Sequence, residues 1–197
     1  FMTTLSPENL DQQIWHELSK AITRRDHAFR WATLGYLNSD QAPILKTIVL
    51  RQVDLESRKL SFFTDYRSAK ITALAASGAT ATLLFLDHRT DTQATIIGSP
   101  IVHSPSSETA KHFYDALSTR QHLDYATIAA PGTMTANPEQ GDVRASRQAA
   151  SHFAVVDVSA DSIDAVKLAR PTLRLKGRYH RPEGESGACF DGGWAVP

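Results

Sequence analysis

Three polar residues near the middle of the chain, Arg67, Ser68 and Lys70, have the chemistry of a phosphate-binding turn. They stand where an apolar run ends and a segment with helical periodicity begins. Backbone N–H groups, a hydroxyl and two cations would therefore point at one place. Two cations at a helix N-terminus oppose the helix dipole unless an anion is bound there. The pattern predicts a phosphate held by charge-assisted hydrogen bonds.

A second pair of cations, Lys46 and Arg51, brackets a short apolar strand. Strand residues alternate between two faces, so these two side chains reach one group only if the strand bulges or twists strongly. A flat ligand several ångströms long removes that requirement, because each end could meet one cation. Strand ends commonly carry exposed basic residues, so the pair alone predicts no site.

Taken together, these residues resemble the pyridoxamine 5'-phosphate oxidases and their relatives. Members carry two basic residues around a short apolar strand and a nearby aspartate, here Lys46, Arg51 and Asp54. A strand ending in an aromatic residue, Thr and Asn or Asp follows, here Phe63-Thr64-Asp65. Ser-x-Lys then opens a helix, here Ser68-Ala69-Lys70. The resemblance covers residues 28–103 well and the C-terminal third loosely.

The resemblance implies that the chain binds flavin mononucleotide (FMN) between the subunits of a homodimer. It places Lys46 and Gln93 against the flavin and Arg51 near its ring and the substrate, while Lys176 would replace an arginine of the family. It implies no particular catalytic residue. The residues implied to bind the cofactor are Lys46, Thr47, Ile48, Val49, Leu50, Arg51, Phe63, Thr64, Arg67, Ser68, Lys70, Gln93 and Lys176.

The chain departs from the true oxidases mainly where those enzymes bind their substrate. Ala69 replaces the arginine of Ser-Arg-Lys, and Arg67 is predicted to supply the missing guanidinium. Val166 takes the position of a Trp, and the substrate-binding Arg-x-His is absent. His112 and Ala116 stand where the oxidases have the Tyr and Arg that grip the substrate phosphate. These departures favour an uncharacterised FMN-binding branch of the family.

Composition argues against several other classes of protein. Lys plus Arg and Asp plus Glu number 21 each, so the formal net charge of 0 gives no electrostatic reason to expect nucleic acid or a membrane as partner. Cys189 is the single cysteine, and no apolar run approaches the ~20 residues of a transmembrane helix. Histidine spacing predicts no metal site. We expect a cytoplasmic protein that acts on a small redox substrate.

The elements predicted around these residues are mostly strands. An amphipathic helix is predicted over about residues 7–24, with Ser6 as its N-cap. Further helices are predicted over 68–76, from 104 through 117, and over 121–129, followed by a long loop over 130–148. The predicted strands are 29–36, 42–53, 60–64, 79–86, 93–103, 153–158, 165–168, 173–179 and 194–197.

Short turns between consecutive strands favour antiparallel pairing in a closed or partly closed barrel. We predict one domain over residues 1–197, mainly β with peripheral helices, and the resemblance identifies it as an FMN-binding split barrel. The barrel is expected over about 28–103 and 152–197. The predicted function is that of an FMN-dependent oxidoreductase of unknown substrate. The alternatives are a non-catalytic FMN-binding or stress-response module and a split barrel that binds haem.

Overall fold

A computed structural model describes residues 6–141, 143–144, 147–170, 173–184 and 190–197. The strands are β1 (Trp31–Leu37), β2 (Pro43–Asp54), β3 (Lys59–Asp65), β4 (Ala81–Asp87), β5 (Thr92–His103), β6 (Phe153–Arg170), β7 (Leu173–His180) and β8 (Asp191–Trp194). The helices are α1 (Pro7–Thr23), α2 (Ala69–Leu74), α3 (Glu108–Asp115), α4 (Thr119–His122), α5 (Pro138–Gly141) and α6 (Ala149–His152). None of the helices in these ranges is long and apolar enough to cross a membrane.

Six strands close into an antiparallel barrel in the order β3-β2-β1-β4-β5-β6, with β6 pairing back onto β3. β7 and β8 continue the sheet from the far half of β6. Closure leaves the six barrel strands without a free edge over their paired lengths. The architecture confirms the predicted mainly-β split barrel.

The barrel interior is filled by large apolar side chains that alternate with outward-facing ones along each strand. Leu34, Leu50, Phe62 and Phe85 are fully buried there. Each such side chain contributes about 1.5–3 kcal/mol to stability by leaving water. Helix α1 packs its own buried face, which includes Leu18, against the same core.

β6 corrects the prediction of two separate strands over 153–158 and 165–168. It runs without a break through 18 residues, because β5 pairs with it along this length with one register shift beside Gly98. Its polar middle interrupts the alternation with a bulge at the exposed Asp161, so that Ala160 and Ile163, three residues apart, are both buried. Pairing partners, rather than local hydrophobicity, continue the strand.

Other element boundaries also differ from the predictions. Ala28–Arg30 forms a 3-10 turn before β1, and the last strand is Asp191–Trp194 rather than 194–197. That shift places Gly192 under the ring of Tyr179, where an added Cβ would lie 2.2 Å from the ring. The expected helix over 121–129 is α4 followed by a 3-10 turn at Leu123–Tyr125, and α5 lies inside the expected loop. The sequence also predicts a turn over 184–193, of which residues 185–189 lie outside the described residues.

Candidate functional site

Three of the predicted cofactor-binding residues meet where β3 turns into α2. Lys70 Nζ donates to Thr64 Oγ1 at 2.9 Å and to Ser68 Oγ at 3.0 Å. Thr64 and Ser68 are buried and Lys70 is half-buried. Ser68 occupies the N-cap position of α2, yet its side chain makes no capping hydrogen bond. Its oxygen accepts from Lys70 and its hydroxyl donates to no group of the described residues, so the hydroxyl proton is available to a ligand.

The electrostatics of this cluster favour an anion. Burial lowers the pKa of Lys70; the nearby Asp65 acts in the opposite direction, and Lys46 adds to the lowering. A partly desolvated ammonium with a second cation nearby is stabilised by negative charge. Helix α2 has only six residues, fewer than predicted, so side chains rather than a long helix dipole supply the attraction.

Arg67 is predicted to bind the phosphate, but in the structure its guanidinium binds other groups of the chain. Its Nη2 donates to Asp65 Oδ2 at 2.7 Å and to the Thr127 carbonyl at 3.1 Å, and its Nη1 donates to the Ile128 carbonyl at 3.0 Å. The hydrogen bonds to Asp65 raise the pKa of Arg67. The guanidinium is thus already committed within the chain.

β2 and β3 separate immediately beside this cluster. Their pairing runs from Asp54 back to Leu50, which lies opposite Phe62, and it goes no further. Residues 43–49 of β2 pair with β1 only, so alternate backbone N–H and C=O groups of this stretch point away from β1 without a strand partner on the β3 side. We call the gap between residues 46–49 of β2 and 63–65 of β3 the β2–β3 slot.

A β-bulge at Arg51 marks the inner end of the slot. Leu50 lies opposite Phe62 and Gln52 opposite Ser61, so Arg51 is the extra residue. Its guanidinium lies 5.7 Å from the centre of the Phe63 ring. The bulge leaves the two cations at separate places, with Lys46 toward Lys70 and Arg51 over Phe63. This is the arrangement that suits a ligand several ångströms long.

The other β2 residues implied to bind the cofactor differ in which of their groups a ligand could reach. Ile48 and Leu50 bury their side chains in the barrel, so only their backbone is available. Thr47 is exposed and Val49 half-buried on the opposite face. The structure therefore restricts the contribution of this strand mainly to its backbone edge.

Gln93 and Lys176 lie far from the slot within one chain. Gln93 on β5 lies opposite Val166 on β6, and Val166 lies opposite Lys176 on β7. The three residues therefore form one row across the sheet. Thr64 pairs with Ala154, twelve residues earlier on β6. Twelve strand residues correspond to a path of ~40 Å. One chain does not bring both groups to a single small ligand.

Sequence reasoning missed the aromatic and histidine groups beside the slot. Tyr125 is buried, and its ring centre lies 4.9 Å from that of Phe153, which in turn lies 5.1 Å from that of Phe63. Burial raises the pKa of Tyr125 well above its usual value, and Arg51 acts in the opposite direction. His152 Nδ1 donates to the Tyr125 carbonyl at 3.0 Å. No sequence spacing marks these residues, because their elements meet only in three dimensions.

A serine, a histidine and an aspartate also meet elsewhere on the barrel. Asp157 accepts from Ser61 at 2.7 Å, and His103 Nε2 lies 3.0 Å from its other oxygen. A hydrolytic triad needs the serine bonded to the imidazole, whereas here both side chains bond the carboxylate. Lys59 adds an ion pair at 3.3 Å, so the cluster satisfies a buried acid. Among the described residues, no group of three or more His, Cys, Asp or Glu could hold a metal ion.

Residues 12–104 match the family model described as pyridoxamine 5'-phosphate oxidase, FMN-binding domain. A pyridoxamine 5'-phosphate oxidase-related, FMN-binding protein from Nostoc punctiforme PCC 73102 has the same fold, with a TM-score of 0.75 at 18% identity over 99% of this chain and 100% of that one. PhzG from Burkholderia lata 383 gives a TM-score of 0.71 at 15% identity over 100% and 95%. No curated protein matches the sequence. The two comparisons agree: residues 12–104 are similar to the pyridoxamine 5'-phosphate oxidase FMN-binding domain, and the chain has the fold of these two proteins.

Proposed function

We propose that the protein binds FMN in the β2–β3 slot and works as an FMN-dependent oxidoreductase. The observation that carries the proposal is the unpaired edge of β2 ending beside the Thr64, Ser68 and Lys70 cluster. The hydroxyls and the ammonium suit a phosphate, and backbone N–H and C=O groups suit the polar edge of a flavin. One phosphate cluster, without a dinucleotide glycine fingerprint, favours FMN over FAD.

Bound FMN would supply hydride or electron transfer, while the protein supplies binding, orientation and electrostatics. Lys46, Lys70, Thr64 and Ser68 would hold the phosphate. Arg51, fixed by the bulge over Phe63, would place positive charge near the ring. A cation there stabilises the added negative charge of a reduced flavin.

We further propose a homodimer in which a second copy completes each site. The sheet face that carries Gln93 also carries the exposed side chains of Trp31, Leu86 and Ile97. Exposed apolar groups next to polar ones are typical of a protein interface. If this face covers the slot of a second copy, Gln93 and Lys176 reach the partner's flavin, and two-fold symmetry produces two sites.

A non-catalytic FMN-binding module remains the second candidate. Asp65 is the acid at the slot, and it is already bonded to the backbone and side chain of Arg67. No general acid or base is therefore evident among the described slot residues. Haem binding is the third candidate. The single cysteine fits a reducing compartment, and the cytoplasm is the proposed location.

An absorption spectrum of the purified protein tests the cofactor. Flavin bands and release of FMN, identified by mass, are expected. Release of FAD, a haem spectrum, or a colourless protein that takes up no added FMN would contradict the proposal. Reduction of the bound flavin by NADH or NADPH, followed by reoxidation in air, separates the oxidoreductase from the non-catalytic module.

A further inference from the structure

Arg67 is bound by the strand end that precedes it. Its Nε donates to Asp65 Oδ1 at 3.0 Å and its Nη2 to Asp65 Oδ2 at 2.7 Å, and its backbone N–H also donates to Oδ1 at 2.8 Å. Asp65 is 8% exposed. The two-pronged contact with a buried carboxylate fixes the plane of the guanidinium.

The same guanidinium reaches a segment about 60 residues further along the chain. Besides the carbonyls of Thr127 and Ile128, it donates to Thr127 Oγ1 at 3.2 Å. Among the hydrogen bonds of the described residues, those of Arg67 are the ones that join residues 127–135 to the barrel. Loss of Arg67 would leave this loop without its hydrogen-bonded tie.

The loop that Arg67 holds begins close to the slot. Its stem, Tyr125, packs on Phe153, which contacts Phe63. Its tie point, Arg67, is the residue before Ser68. Residues Asp124, Thr127 and 129–135 also surround a cavity of about 430 Å³. The start of the loop therefore lies near both the aromatic end and the phosphate end of the slot.

We propose that Asp65 and Arg67 form a latch that positions the 127–135 loop as a wall of the slot and limits solute access to a bound flavin. Arg67 is then a positioning residue rather than a phosphate ligand. The effect on a bound flavin rests on the proposed function. The positioning of the loop by Asp65 and Arg67 does not depend on it.

Arg67→Lys is the discriminating variant, because it keeps the positive charge beside Ser68 but loses the planar fork. The latch needs the fork and should fail, and FMN affinity should fall as well only if the fork itself binds the phosphate. Asp65→Asn keeps the shape and removes the charge, and it should release the loop as well. Lys70→Ala is the matched control, since it disrupts the phosphate cluster and leaves the latch intact.

Hydrogen–deuterium exchange of peptides covering 124–135 is measured on all three variants without added FMN. We expect exchange about tenfold faster in Arg67→Lys and Asp65→Asn, with Lys70→Ala like the parent. FMN affinity should fall in Lys70→Ala and stay within about threefold in Arg67→Lys. Iodide should quench the fluorescence of FMN bound to Arg67→Lys more strongly.

Unchanged exchange in both latch variants would overturn the proposal, provided circular dichroism shows them folded. A loss of FMN affinity in Arg67→Lys as large as that in Lys70→Ala would show Arg67 to be a phosphate ligand and would also overturn it. Failure of the parent to bind FMN removes the proposed function but leaves the exchange test of the latch in force.

Discussion

At the scale of single residues, Lys70 is the main phosphate-binding residue of the proposed site. Its ammonium donates to two buried hydroxyls, and burial lowers its pKa, so a phosphate would stabilise a partly desolvated cation and accept from the hydroxyls beside it. Lys70→Ala should weaken FMN binding ten- to a hundredfold, because a charge-assisted hydrogen bond contributes about 1.5–3 kcal/mol. Fluorescence titration measures this. Lys111→Ala, at an exposed lysine of α3, should leave the affinity unchanged; equal affinities for both variants would place the phosphate elsewhere.

The residues at the substrate-binding positions also predict weak binding of pyridoxamine phosphate. The Tyr, Arg and Arg-x-His that grip pyridoxamine phosphate in the true oxidases have no counterpart at the matching positions. Each absent charged contact costs about 2 kcal/mol or more. Steady-state formation of pyridoxal phosphate should therefore be slow. A kcat/KM above about 10⁴ M⁻¹s⁻¹ would show that other cations, such as Arg174, have replaced them.

At the scale of elements, a buried ion pair contributes to the attachment of helix α1 to the barrel. Arg58 Nη2 donates to Asp11 Oδ2 at 2.6 Å, with both side chains largely buried, and its guanidinium lies 4.7 Å from the Trp15 ring centre. Asp11→Ala leaves a buried cation unpaired and should lower the free energy of unfolding by about 3–5 kcal/mol. Urea unfolding measures this. Asp26→Ala removes the exposed pair with Arg24 and should leave the free energy of unfolding almost unchanged; equal losses in the two variants would contradict the assignment.

Element types were predictable from the sequence, whereas the features that make the slot were not. Strands β1 to β5 follow apolar runs bounded by turn residues, and α1 follows its four-residue period. The bulge at Arg51 and the separation of β2 from β3 depend on which strand pairs with which. Thr64, Ser68 and Lys70 are close in sequence, so their meeting was predictable. Arg67 and Thr127 are not, and the contact that occupies Arg67 could not be foreseen.

At the scale of the whole molecule, the proposed site would need two chains if Gln93 and Lys176 belong to it. Thr64 and the row of Gln93 and Lys176 lie toward opposite ends of β6, and the face between them exposes Trp31. A homodimer would account for both observations, because it would cover the apolar face and bring Gln93 and Lys176 of one chain to the β2–β3 slot of the other. Ultracentrifugation should therefore show a dimer.

Heterodimers decide whether the site is shared between chains. Lys70→Ala and Lys176→Ala chains, co-expressed with different tags, should form a heterodimer in which one of the two sites holds both lesions and the other is intact. Fluorescence titration should then detect about one tight FMN site per heterodimer, although the Lys70→Ala and Lys176→Ala homodimers each bind FMN weakly. The converse pairing joins a Lys70→Ala/Lys176→Ala double variant to an unmodified chain and should leave no intact site. If every site lay within one chain, each chain would need its own Lys70 and Lys176. The first heterodimer would then have no tight site, and the second would have one, in its unmodified chain.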